Sequence, residues 1–218
     1  MVKKSELRKI LLYTKEQAKK AHAELDVKIA SIPKACGGAG CDACCYQMVA
    51  VHTWEEELIG SYIQTAMHAD TKAIVRKQML DWWRYLKSIL RPATRDNPIT
   101  PHEYQNLQQH MINARVMCPF LVDRKCSIYP VRPAICRAYV VPDDPDRCKT
   151  EFGRLGDMQA AMFFMDIFGA ESSLLPRDRY IHSMKPLAFA MTGVFRLPVP
   201  STPVVGLVLG DVMPMPQR

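Results

Sequence analysis

Eight cysteines fall into two groups of four: Cys36, Cys41, Cys44 and Cys45, then Cys118, Cys126, Cys136 and Cys148. Thiolates are ligands for soft and borderline metals, and thiolate-only sites take zinc or iron–sulfur clusters. Seventy-two residues without a cysteine separate the two groups, so random scatter is a poor account of the division. Cys41-x2-Cys44 has the spacing at which one turn brings two thiolates to one metal. Cys36 can fold back over the glycines between it and Cys41 to supply another. Adjacent side chains on an extended or helical backbone diverge. Cys44 and Cys45 are therefore expected to face different ways, serving two irons of a cluster or two separate metals rather than one tetrahedral zinc.

The second group is spaced by seven, nine and eleven residues, wider than a zinc knuckle requires. Ligands so spaced must be drawn together by tertiary folding. The favoured arrangement is a composite site in which the N-terminal loop and the 118–148 region close over shared metal; two independent four-cysteine sites remain open. Iron–sulfur is favoured over zinc. A disulfide framework suits short secreted chains, and this one, at 218 residues, can close a core without staples.

The elements that must position these thiols are mostly helical. Leu7, Leu11, Thr14, Ala18, Ala21, Leu25 and Ile32 follow a 4,3 spacing broken at Lys28, which predicts an amphipathic helix from about Ser5 to Ile29, its narrow apolar stripe laid on the protein's own core. Tyr46 to Val51 reads as a short extended run. Thr53 to Glu56 has capping-box spacing for a helix to about His68, and a second helix runs from about Asp70 to Leu90 with Trp82, Trp83 and Tyr85 as core residues. Thr100-Pro101-His102-Glu103 opens a helix to about Val116, with His102 and His110 on its surface. Cys118 to Tyr129, around Asp123-Arg124-Lys125, predicts a β-hairpin, and Arg132 to Tyr139 one or two helical turns. A helix over Phe152 to Phe168 is expected to use Met158, Met162 and Met165 as core filler. Another spans about Arg177 to Phe195, interrupted by Pro186, and residues 197–218, with five prolines, form an extended arm.

The expected fold is thus a mostly α helical domain with a small β-hairpin and a loop-borne cysteine metal site. It divides into an N-terminal helix (1–32), a cysteine-cluster region (33–150), a C-terminal helical region (151–196) and the arm (197–218). No stretch is long and apolar enough to span a membrane. In the first thirty residues the longest uninterrupted apolar run is 10–13, so no secretory signal is read and a cytoplasmic location with reduced or metallated thiols is expected. The net charge of +7 invites a nucleic-acid reading, but nine basic and four acidic residues fall within 1–35, where a solvated helix face explains the surplus. Nucleic-acid binding is not favoured.

The run Cys118-Pro-Phe-Leu, then Cys126-Ser-Ile-Tyr-Pro-Val-Arg-Pro-Ala-Ile-Cys136-Arg-Ala-Tyr139, with Cys41-x2-Cys44-Cys45 upstream, resembles the YkgJ-type CxxCxxCC zinc- or iron-chelating family. The resemblance covers roughly Cys36 to Cys148. It implies a cysteine-bound metal centre, often described as iron–sulfur, and a relation to flagellin lysine N-methylase. This chain departs from the pattern in having four residues rather than two between Cys36 and Cys41. Arg132 and Arg137 match the family's Arg-Pro and Cys-Arg elements; a guanidinium there offsets thiolate charge, binds an anionic group, or orients the cysteine loop through a salt bridge.

Two functions compete: a redox or modifying enzyme acting on a peptide or small molecule, and a zinc-stabilised binding module that docks a partner protein through the N-terminal helix. A methyltransferase reading lacks support, because no glycine-rich cofactor loop follows a strand in this sequence. His52, His182, Lys185, Asp143 and Asp144 qualify as acid–base groups by type alone, and none is singled out as catalytic.

Overall fold

The computed structural model describes residues 4–33, 41–90, 100–144, 147–151, 156–174, 183–197 and 207–208. The chain is mostly helical, with a two-stranded hairpin and a second small sheet among the described residues.

Helix α1, Lys4–Ala30, buries Thr14, Ala18, Ala21 and Leu25 of the stripe its 4,3 spacing predicts, and Ile29 beside them. That stripe lies against α2 (Thr53–Thr65), α5 (Ala134–Ala138) and α7 (Met158–Leu174). Leu25, Leu58, Ala134, Ala138, Phe164 and Ile167 meet there in one cluster. Leu25 is fully buried, so trimming it to alanine costs about 2–5 kcal/mol. Through this cluster α1 supports α5, and α5 carries Cys136.

A second cluster joins Val51, Ile59, Ile63, Val75, Met79, Phe120, Ile128 and Met191, with Cys118 and Cys126 packed on its edge. The third lies between α3 (Ala69–Ile89), α4 (Pro101–Asn113) and Ala188. Trp82 and Trp83 both meet Phe189 edge-on, with ring centroids 5.3 and 4.9 Å apart. Trp82 is therefore core, as helical spacing implies, while Trp83 and Tyr85 pack against the same cluster partly buried.

Local chemistry sets the helix ends. Thr100 accepts from the Glu103 amide while the Glu103 carboxylate accepts from the Thr100 amide, which is the expected capping box. The same helix stops at Asn113 rather than near Val116. Arg115 adopts φ 50°, the Val116 amide donates to Met111 O and the Arg115 amide to Ile112 O, a Schellman closure that turns the chain toward Cys118. Helix α2 begins one residue earlier than its Thr53 spacing suggests. His52 is the N-cap and Glu55, not Glu56, completes the box. Glu55 is preferred because it is buried and serves two further partners described below.

Two expectations are overturned. Met158, Met162 and Met165 are exposed to 67%, 57% and 42%, so they do not fill the core; Ala160, Phe164 and Ile167 occupy the buried face of α7 instead. Residues 183–186 are a strand, not part of a helix. β4 (Ser183–Pro186) pairs antiparallel with β1 (Ala50–His52), and β5 (Leu207–Val208) adds to its other edge. Proline at the strand's last position loses no interior ladder bond, and only a short helix α8, Leu187–Ala190, follows. Apart from β5, the arm lies largely outside the described residues, as do residues 175–182.

The hairpin is present. β2 (Leu121–Val122) and β3 (Lys125–Cys126) are joined by Asp123 and Arg124, at φ 48° and 61°. Positive φ at both turn positions gives the twist that suits a two-residue connection.

Candidate metal centre

Cys44 and Cys45 sit on a 3₁₀ turn, Ala43–Tyr46, just before β1. Cys118 arrives from the end of α4, and its amide donates to Cys45 O at 2.7 Å. Cys118 O then accepts from Leu121 N at 3.0 Å, and Leu121 pairs with Cys126 across the hairpin. Cys136 lies on α5. Backbone hydrogen bonds thus connect the two cysteine groups, which are far apart in sequence.

Two side-chain contacts fasten this junction. Arg124, at the hairpin turn, donates from Nε to Asp42 at 3.0 Å, beside the 3₁₀ turn. The Arg115 guanidinium lies 4.7 Å from the Tyr46 ring centroid, so the residue that ends α4 also covers the turn.

The thiols lie in one electrostatic neighbourhood. Cys44 interacts with Cys45, Cys118, Cys126 and Cys136. The Cys45 thiol hydrogen-bonds Cys44, which brings Cys44 down to about 7 and pushes Cys45 up. The expectation that these neighbours face apart is corrected: the tight turn brings both sulfurs together. Burial pushes the Cys118 thiol up to about 12 and also raises Cys126 and Cys136. Thiols raised in this way stay protonated until something offsets their charge, and metal coordination does that.

Cys148, on the short helix α6 (Arg147–Thr150), shares a small cleft with Cys44, lined also by Tyr46, Gln47, Tyr139 and Glu151. Cys41 is exposed beside the turn. Cys36 lies outside the described residues.

The two arginines differ. Arg137 is buried and fully engaged: Nε donates to Arg132 O at 3.0 Å, while its terminal nitrogens reach Pro130 O and the Asp26 carboxylate. Those bonds tie α5 and the preceding loop to α1. Arg132 instead lies within electrostatic reach of Cys44, Cys126 and Cys136, favouring each thiolate.

One group that motif reading passed over is the buried Glu55 carboxylate. It accepts from His22 at 2.8 Å, from the Ala134 amide at 2.8 Å and from the His52 amide at 3.1 Å. Burial works against its ionisation, but the His22 hydrogen bond and charge, with His52 and the Ala134 amide, hold it below the usual carboxylate range. An ionised carboxylate only accepts, so His22 Nε2 must donate. Glu55 therefore links α1, α2 and α5 two residues before Cys136. The His52-x2-Glu55 spacing at a helix start was the available signal.

The donor set suits a thiolate-bound metal: several thiols meet, and a cation lies beside them. Among the described residues, no three or more His, Cys, Asp or Glu side chains stand in ligand geometry.

A family model described as "CxxCxxCC: Putative zinc- or iron-chelating domain" matches residues 35–154. The chain belongs to this family. The CxxCxxCC match spans both cysteine groups and every element that bears them, while α1 and α7 lie outside it. No curated protein and no solved structure matches the chain. No helix among the described residues is long and apolar enough to cross a membrane.

Proposed function

We propose that this CxxCxxCC protein holds one composite iron–sulfur centre on Cys44, Cys45, Cys118, Cys126 and Cys136, and uses it in redox chemistry or modification of a peptide or small molecule. The supporting observation is the electrostatic convergence of four thiols on Cys44, five in all, drawn from both cysteine groups. A structural zinc takes four ligands, so a fifth thiol suits a centre with more than one metal ion. When bound, an iron–sulfur centre supplies one-electron chemistry.

The chain's own residues would exclude water and control access. Packing against the Phe120 and Ile128 cluster shields one side of Cys118 and Cys126 in part. The small cleft at Cys44 and Cys148 supplies an opening with polar groups, Gln47, Tyr139 and Glu151, to meet a substrate.

Anaerobic isolation with iron and acid-labile sulfide analysis tests this reading. The expected result is a brown protein with both elements and an absorbance that bleaches on reduction. A colourless protein with zinc and no sulfide would favour the second reading, a zinc-stabilised binding module. That alternative draws on the backbone bonds that join the 3₁₀ turn to Cys118 and the hairpin, where a metal would serve the fold alone.

A further inference from the structure

Arg132 stands between two cysteine-bearing elements, β3 with Cys126 and α5 with Cys136. Its backbone is held on both sides: its amide donates to Tyr129 O at 3.4 Å, and its carbonyl accepts from Arg137 Nε at 3.0 Å. Its guanidinium lies 4.3 Å from the Tyr129 ring centroid. The side chain is thus oriented by a fixed loop and a stacking ring. Its Nε is nevertheless buried without a hydrogen-bond partner among the described residues.

A buried N–H donor without an acceptor carries a desolvation penalty, and folded proteins rarely leave one in place without a use. Arg137, five residues further along the chain, shows the alternative, since its Nε and terminal nitrogens are taken up by carbonyls and Asp26. The one arginine is scaffold; the other keeps a donor in reserve beside the thiols.

We propose that Arg132 donates its Nε–H to a ligand sulfur of the loaded metal centre, and that Arg137 acts as the positioning residue by holding the Arg132 carbonyl. The inference rests on the reading of the site as a metal centre. A metallated cysteine sulfur keeps lone pairs and excess negative charge. A fixed N–H aimed at it stabilises the bound state, and a guanidinium does so without a proton to lose. Among the described residues the same donor has no acceptor, so its contribution is expected to appear on loading.

The test uses zinc as the probe, because zinc needs no sulfide for assembly. Zinc affinity would be measured on the full, reduced chain by competition with a chromophoric chelator, for wild type, Arg132→Gln and Arg132→Lys, with the metal-free melting temperature of each. Arg132→Gln should bind zinc about tenfold to a hundredfold more weakly. Lysine should recover only part of that loss, since it restores charge without the fixed Nε–H. The metal-free glutamine variant should melt no lower than wild type. In the wild type itself, the Arg132 Nε–H proton resonance, identified by its absence in the lysine variant, should move downfield and exchange more slowly when zinc is added.

Equal zinc affinity in Arg132→Gln, an affinity loss matched by loss of metal-free stability, or an Nε–H resonance indifferent to zinc would each overturn the proposal. Those outcomes leave a metal-binding wild type intact. A wild type that takes neither zinc nor iron would instead remove the metal centre, and this proposal with it.

Discussion

Replacing Glu55 with glutamine is a severe perturbation despite its near-identical shape. The carboxylate accepts from His22 and the Ala134 amide through one oxygen and from the His52 amide through the other. Glutamine keeps one acceptor oxygen but sets an NH2 group against a backbone or imidazole N–H. Charge-assisted bonds become neutral ones, each weaker by roughly 1 kcal/mol, and a buried donor is left facing another donor at about 1–3 kcal/mol. Removal of the buried charge offsets part of this. The net expectation is a loss of about 3 kcal/mol, a large share of the 5–15 kcal/mol typical of a folded domain. In urea denaturation of the metal-free protein, with m on the order of 2 kcal/mol/M, the midpoint should fall by about 1.5 M with m unchanged. Because the Ala134 amide opens the helix that carries Cys136, zinc retention should fall as well. Acid should mimic the variant. Glu55 has a folded value below its unfolded one, so its contribution is present above the unfolded value of about 4.3 and is lost as pH drops through the lower folded value. The groups facing it are His22 on α1, His52 at the α2 cap and the Ala134 amide on α5. A midpoint shift under about 0.3 M would refute the view that this carboxylate joins three elements.

Other consequences are smaller or differently placed. Removing the Thr100 hydroxyl by alanine should cost about 1 kcal/mol in the same denaturation assay, because the cap of α4 loses its acceptor. Arg137→Met should cost about 3 kcal/mol by leaving Asp26 and two carbonyls without their donor, and lysine should recover little of it. Converting Met158, Met162 and Met165 to glutamine should change stability by no more than about 0.5 kcal/mol each, since their side chains face solvent.

Legibility in the sequence followed the range of the forces involved. The Thr100 to Glu103 box is made by atoms within one turn, so local spacing was enough to place it. Most of the α1 stripe and Trp82 of α3 were legible because a helix repeats its buried face. The start of α2 shifted by a residue because Glu55 is chosen by His22 and Ala134, both remote in sequence. β4 was misread as helix for the same reason, since the Ala50 to Pro186 pairing depends on a partner more than a hundred residues away. A Met- and Phe-rich run does not reveal which face is covered, and α7 exposed the methionines while burying Phe164 and Ile167. Cysteine spacing identified the thiols. It did not reveal that a 3₁₀ turn brings Cys44 and Cys45 together, nor that Arg132 and Arg137 have different partners.

The central claim is that thiols from both cysteine groups serve one centre. Metal content per chain in Cys45→Ser and Cys126→Ser, each prepared anaerobically beside wild type, addresses it most directly. A shared centre predicts that either substitution removes nearly all the bound metal. Retention of about half the wild-type metal in each variant would show two separate sites and contradict the account.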